Sequence, residues 1–113
     1  MLKILHNTRC RKSRETLAII QESGSEVEIV EYLKDVPSAD ELRSILDMLA
    51  LAPDQLLRKG ESVFKENYKG KDLTDEEWIE AMVSNPVLIE RPIVIKGDQA
   101  IIGRPPENVN ELL

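Results

Sequence analysis

One cysteine and one histidine are all that the chain holds of either residue. A lone thiol cannot close an internal disulfide, which fits a reducing compartment and predicts a cytoplasmic protein. One His and one Cys cannot supply a zinc site with the usual ligand spacing, so no metal is expected. No apolar run approaches the roughly 20 residues of a membrane span, so no membrane partner is expected either. Met1-Leu2-Lys3 leads directly into a strand-like segment, which predicts no signal peptide. A glycine-rich phosphate loop, a low-complexity tract and an internal repeat are all missing. The formal net charge of −6 argues against broad nucleic-acid affinity, because phosphate binding needs net cationic surface.

What is present is ordinary in bulk and unusual at one place. The 113 residues, 42% hydrophobic and 32% charged, are the size of a single domain with one core, spanning 1–113. A monomer is expected. The unusual place surrounds the cysteine: His6-Asn7-Thr8-Arg9-Cys10-Arg11-Lys12-Ser13-Arg14 holds four Lys or Arg side chains and no carboxylate. A strand-like run precedes it and a helical pattern follows. A thiol at such a turn meets helix N–H groups and nearby cations, both of which favour the thiolate. Cys10 is therefore a candidate nucleophile rather than a small buried hydrophobe.

The order of elements follows from periodicity and punctuation. Leu2 to Leu5 reads as a buried strand, Ser13 to Gln21 as a helix ended by Gly24, and Val27 to Tyr32 as a second strand. A strand, helix and strand within so short a stretch predict a βαβ unit with parallel strands. The middle is helical. Ser38-Ala39-Asp40-Glu41 and Thr74-Asp75-Glu76-Glu77 are capping boxes, each followed by apolar residues at helical spacing. Pro53 suits the first turn of a short helix, and Val63 to Tyr68 suggests another turn or two. Asn85-Pro86 stops the last of these helices. Ile93-Val94-Ile95 and Ala100-Ile101-Ile102 flank Gly97-Asp98 as a hairpin, and Pro105-Pro106 opens a short terminal helix. The order βαβ, inserted helices, ββα predicts an α/β protein: a thioredoxin-like four-stranded mixed sheet flanked by helices.

In that layout the first strand-to-helix turn carries the reactive cysteine. Cys10-Arg11-Lys12-Ser13 is Cys-x-x-Cys with serine in the second position. Serine can donate a hydrogen bond to a thiolate but cannot resolve a disulfide, so a redox cycle needs an external thiol. Pro92, just before the third strand, stands where thioredoxin folds place a cis-proline across from the cysteine. That geometry would turn the backbone at Arg91 toward Cys10.

The chain resembles the glutaredoxin-linked arsenate reductase family over essentially its whole length. The resemblance rests on His6-Asn7-x-x-Cys10-x-x-Ser13-Arg14-x-Thr16-Leu17 and on Leu56-Leu57-Arg58-Lys59. It rests also on Asn85-Pro86-x-Leu88-Ile89-x-Arg91-Pro92-Ile93 and on Gly103-Arg104-Pro105. It implies Cys10 as nucleophile, His6 and Ser13 as the residues that tune its thiolate, and Arg58, Arg91 and Arg104 as the cradle of the oxyanion. His6 is expected to orient the cysteine loop rather than to act as a base. Guanidinium groups suit a tetrahedral oxyanion through their fixed forked donors. The implied activity is reduction of arsenate to arsenite through a Cys10 adduct, with glutathione as co-substrate, glutaredoxin as partner and no bound cofactor. Arg11 and Lys12 stand where the best-known detoxifying members carry small residues. Two other functions are compatible with the fold: a transcription regulator that binds RNA polymerase, and a general monothiol oxidoreductase. Ser13 and the Gly103-Arg104-Pro105 pattern argue against the first, and three convergent arginines would be unnecessary for the second.

Overall fold

Strand β1, Leu2–His6, forms the centre of the fold, and a computed structural model describes it with the rest of residues 1–113. β1 lies between β2 (Val27–Glu31), to which it is parallel, and β3 (Ile93–Lys96), to which it is antiparallel. β4 (Gln99–Ile102) pairs with β3 through the two-residue turn Gly97-Asp98, and the sheet order is β2-β1-β3-β4. Gly97 has φ +61°, a conformation that a side chain would strain. This is the expected mixed sheet of the thioredoxin-like fold.

Helix α1 (Arg11–Glu22) crosses from β1 to β2. It begins two residues earlier than periodicity predicts, because Cys10 and not a later residue is its N-cap. Gly24, at φ +79°, follows its C-cap as expected and donates its N–H to the Gln21 carbonyl. Its inward stripe is Ser13, Thr16 and Ile20, with Leu17 and Ile19 only partly buried. Two polar residues on that stripe are the first sign that the helix faces a functional site as well as a core.

The chain divides into two compact units. The first, Met1–Asp35 with Arg91–Leu113, holds the sheet and α1. Its core joins Leu2 and Ile4 of β1, Ile20 of α1, Val94 of β3, and Val109 and Leu112 of a terminal 3₁₀ segment, Pro106–Leu112. The second unit, Val36–Glu90, holds α2 (Ala39–Leu49), α3 (Ser62–Asn67) and α4 (Asp75–Ser84). Both capping boxes form as expected, with Ser38 accepting from Glu41 and Thr74 from Glu77. Leu42, Ile45 and Leu46 of α2 and Ile79 and Met82 of α4 are buried, and Arg43 ties the two helices by pairing with Glu76. Phe64, Tyr68 and Trp78 pack ring against ring. Pro53–Leu56 is a 3₁₀ turn, and a further one, Pro86–Leu88, follows α4. No helix is long and apolar enough to cross a membrane.

Candidate active site

Alternation along β1 decides where the site begins. Leu2, Ile4 and His6 share one face of the strand. Ile4 meets Ile20 of α1 in the core, so His6, two residues further on, arrives at the start of the same helix. There its Nδ1 shares a 2.6 Å hydrogen bond with Ser13 Oγ. The same hydroxyl oxygen accepts the Asn7 N–H at 3.0 Å. His6 is only 6% exposed and Ser13 is fully buried, so these bonds satisfy groups that water does not reach. The serine hydroxyl is thus engaged by His6 and Asn7. What Ser13 turns toward the Cys10 sulfur is its backbone N–H.

The loop between β1 and α1 is held from within. Cys10 donates its N–H to the Asn7 carbonyl at 3.0 Å, and Arg9 donates its N–H to Asn7 Oδ1 at 2.9 Å. Arg14 reaches back to the Thr8 carbonyl, and Arg11 pairs with Glu15 one turn along. Arg9, Arg11, Lys12 and Arg14 all lie exposed. Cys10 itself is buried, 7% exposed.

The cations that act on the sulfur come from the other end of the unit. Arg91 precedes β3 and Arg104 follows β4, and both are followed by a cis proline, Pro92 and Pro105. Arg104 Nη2 lies 3.6 Å from Cys10 Sγ, while its Nε donates to the Arg91 carbonyl at 2.8 Å. The guanidinium is therefore fixed at two points, one of them the backbone of the second arginine. Burial is the largest influence on the Cys10 thiol and pushes it up. The Ser13 N–H, the Arg91 guanidinium and the Arg104 charge together outweigh burial and bring it below the ordinary range. His6 is also lowered. Burial is the main cause, Glu31 opposes it and Arg14 adds to it, so the imidazole is neutral near pH 7.

Three residues that sequence reasoning assigned no role complete the arrangement. Asn108 donates from Nδ2 to the Arg104 carbonyl at 3.0 Å and to the Ile102 carbonyl at 3.3 Å, binding the arginine's backbone to the terminal segment. Its only signal in the sequence is the spacing of four residues from Arg104. Gly103 packs so closely that a Cβ there would stand 2.4 Å from Thr16 Oγ1 and 2.8 Å from Pro92 Cγ. Thr16 donates its hydroxyl to the Lys12 carbonyl, which satisfies a buried polar group inside α1. The quoted Gly103-Arg104-Pro105 pattern and Thr16 thus meet in space.

The structure brings Cys10, His6, Ser13, Arg91 and Arg104 together in the first unit. Arg58 belongs to the second. There its Nη1 donates to Glu90 Oε1 at 2.6 Å, its Nε stands 3.6 Å from Glu61 Oε2, and its N–H donates to the Leu88 carbonyl. No group of three or more His, Cys, Asp or Glu side chains is placed to hold a metal ion.

Residues 5–112 match the model of the ArsC family. Among relatives, an uncharacterized protein, YfgD, of Escherichia coli K12 is 46% identical, over 99% of this chain and 96% of its own length. An arsenate reductase of Haemophilus influenzae is 44% identical, over 97% of each chain. A solved structure of an arsenate reductase from Vibrio cholerae superposes with a TM-score of 0.94 at 41% identity, covering 99% of this chain and 97% of that one. A cysteine held between a helix start and two arginines, in a chain matched to one family almost from end to end, leads to one conclusion: this protein belongs to the ArsC family.

Proposed function

We propose that this chain reduces arsenate to arsenite, with Cys10 as the nucleophile and glutathione and glutaredoxin as the source of electrons. The observation that carries the reading is the Arg104 guanidinium at the sulfur of a buried, acidified cysteine in an ArsC-family chain. A thiolate beside two guanidinium groups is suited to attack an oxyanion that those cations have drawn in. Arg91 and Arg104 neutralise the arsenate oxygens. For Arg58 the support is the family pattern alone, and it is given the same role. His6 and Ser13 hold the cysteine loop. The whole of 1–113 acts as one reductase domain.

The steps balance as follows. The Cys10 sulfur bonds to As(V) and one oxygen leaves as water. A glutathione sulfur displaces a second oxygen, again as water, and forms a second S–As bond. A glutaredoxin thiolate attacks the glutathione sulfur, and the electron pair of that S–As bond stays on arsenic, now As(III). Water then displaces Cys10 and arsenite leaves. The net change is one arsenate and two thiols to one arsenite, one disulfide and one water. No second cysteine exists in the chain to resolve the adduct, which is why the second and third thiols come from outside. Such a cycle belongs in the cytoplasm, where thiols are kept reduced.

The test is arsenate-dependent NADPH oxidation coupled through glutathione, glutaredoxin and glutathione reductase. Cys10→Ser is expected to fold and show no turnover. Arg58→Ala, Arg91→Ala and Arg104→Ala are each expected to lose about 1.5–3 kcal/mol in kcat/KM for arsenate, the worth of a charge-assisted bond. Turnover in Cys10→Ser would remove the cysteine from the mechanism, and unchanged kinetics in all three arginine variants would remove the cradle.

A further inference from the structure

We propose that the crevice outside the C-terminal ends of β1 and β2 is the docking site of the small thiol reductant, a peptide with the charge pattern of glutathione. The inference rests on the reading of this chain as a glutathione-dependent reductase. β1 and β2 are parallel, and their last residues, His6 and Glu31, are register partners. The loops that leave these two strand ends, Asn7 to Arg9 after β1 and Leu33 to Lys34 after β2, bound an open crevice. A cavity of about 230 Å³ lies there, lined among others by His6, Arg9, Glu31, Leu33 and Lys34.

Both walls are held in place before any ligand arrives. Asn7 takes the N–H groups of Arg9 and Cys10 on one side. On the other, Lys34 and Asp35 both donate their N–H groups to the Glu31 carbonyl at 2.9 Å. The charges on the walls are two cations and one carboxylate. Glutathione carries two carboxylates and one ammonium, the complementary set. Lys34 Nζ is 3.8 Å from Glu31 Oε1 in a loose pair, their side chains 80% and 48% exposed, so both can exchange that contact for a ligand's. Leu33, 41% exposed, offers the methylenes of such a peptide an apolar contact.

Reach and direction also fit. Arg9 adjoins Cys10, about 3.8 Å from Cα to Cα, and an extended tripeptide spans about 10 Å. A ligand held against Arg9 therefore sits beside the residue that adjoins the cysteine, and the proposal is that its sulfur reaches Cys10 from there. β1 separates β2 from β3 in the sheet, and Arg91 and Arg104 lie at the β3 and β4 ends. The oxyanion is thus approached from one side of β1 and the thiol from the other, so neither blocks the other.

S-methylglutathione, which has the full charge set and no free thiol, is the probe. Its binding to the full chain is followed by heteronuclear NMR titration, alongside steady-state kinetics with glutathione. Glu31→Gln and Lys34→Glu, both at exposed positions, are each expected to weaken S-methylglutathione binding and raise KM for glutathione about tenfold, the worth of one charge-assisted contact. KM for arsenate is expected to stay unchanged. Wild-type binding and KM for glutathione in both variants would overturn the crevice while leaving the reductase reading intact. Conversely, no arsenate turnover with any thiol, combined with S-methylglutathione binding that both substitutions weaken, would overturn that reading and uphold the crevice.

Discussion

At Cys10 burial and charge pull in opposite directions, and charge prevails. The sulfur is shielded from water, yet the Ser13 N–H, Arg91 and Arg104 leave the thiolate favoured. Iodoacetamide alkylation is expected to show a midpoint below the free-cysteine value of about 8.5. Arg91→Ala and Arg104→Ala should each move it up, whereas Arg11→Ala, at an exposed side chain paired with Glu15, should leave it in place. A wild-type midpoint at or above the free value would show that these cations do not govern the sulfur. His6 gives the second prediction at this scale. Its folded pKa lies below the ordinary value, with burial the main cause. As pH falls, the unfolded chain therefore takes up the proton first, so stability declines through the window just below about 6.5. Urea unfolding between pH 7 and pH 5 should show that decline in the wild type and a shallower one in His6→Asn. Parallel slopes would mean that His6 does not contribute.

Among the elements, α1 and the β4-to-Pro105 turn depend on each other through one missing side chain. Gly103 brings the backbone before Arg104 against Thr16 of α1, where no Cβ has room. Gly103→Ala is expected to cost about 1–3 kcal/mol, the usual penalty for overpacking. The loss should be visible in urea midpoints, with a loss of arsenate turnover as Arg104 is displaced. Adding Thr16→Ala removes two of the three closest atoms and should recover part of the stability. A Gly103→Ala variant as stable and active as the wild type would mean that the close approach is not needed.

On the scale of the whole molecule, the two ends of the chain share one core. Leu2 and Ile4 lie with Val109 and Leu112, and Lys96 Nζ donates to the Leu112 carbonyl at 3.0 Å. A residue next to the C-terminus would ordinarily be a tolerant position. Here Leu112 is 4% exposed, and Leu112→Ala is expected to cost about 2–5 kcal/mol, as in any well-packed interior. A chemical unfolding curve close to that of the wild type would show that the terminal segment is only loosely attached.

What the sequence alone determined is local. The capping boxes at Ser38 and Thr74, the glycine after α1, the Gly97-Asp98 hairpin and the βαβ order all depend on residues a few positions apart. Short-range sterics and hydrogen bonding act there without help from the rest of the chain. The candidate nucleophile was legible for the same reason, because its basic segment and the strand before it are contiguous. The cations that act on it were not legible from proximity. Arg9, Arg11, Lys12 and Arg14 adjoin Cys10 in sequence, yet their side chains lie exposed, and the acidifying charges are those of Arg91 and Arg104. The role of Ser13 changed likewise: its hydroxyl turned to His6, because α1 begins at Arg11 and buries that hydroxyl beside the end of β1. Asn108 and Gly103 matter only once β4 has returned beside β3 and brought the terminal segment against α1. Such choices belong to tertiary structure, because which charge reaches a buried sulfur depends on distance and desolvation, and neither follows separation along the chain.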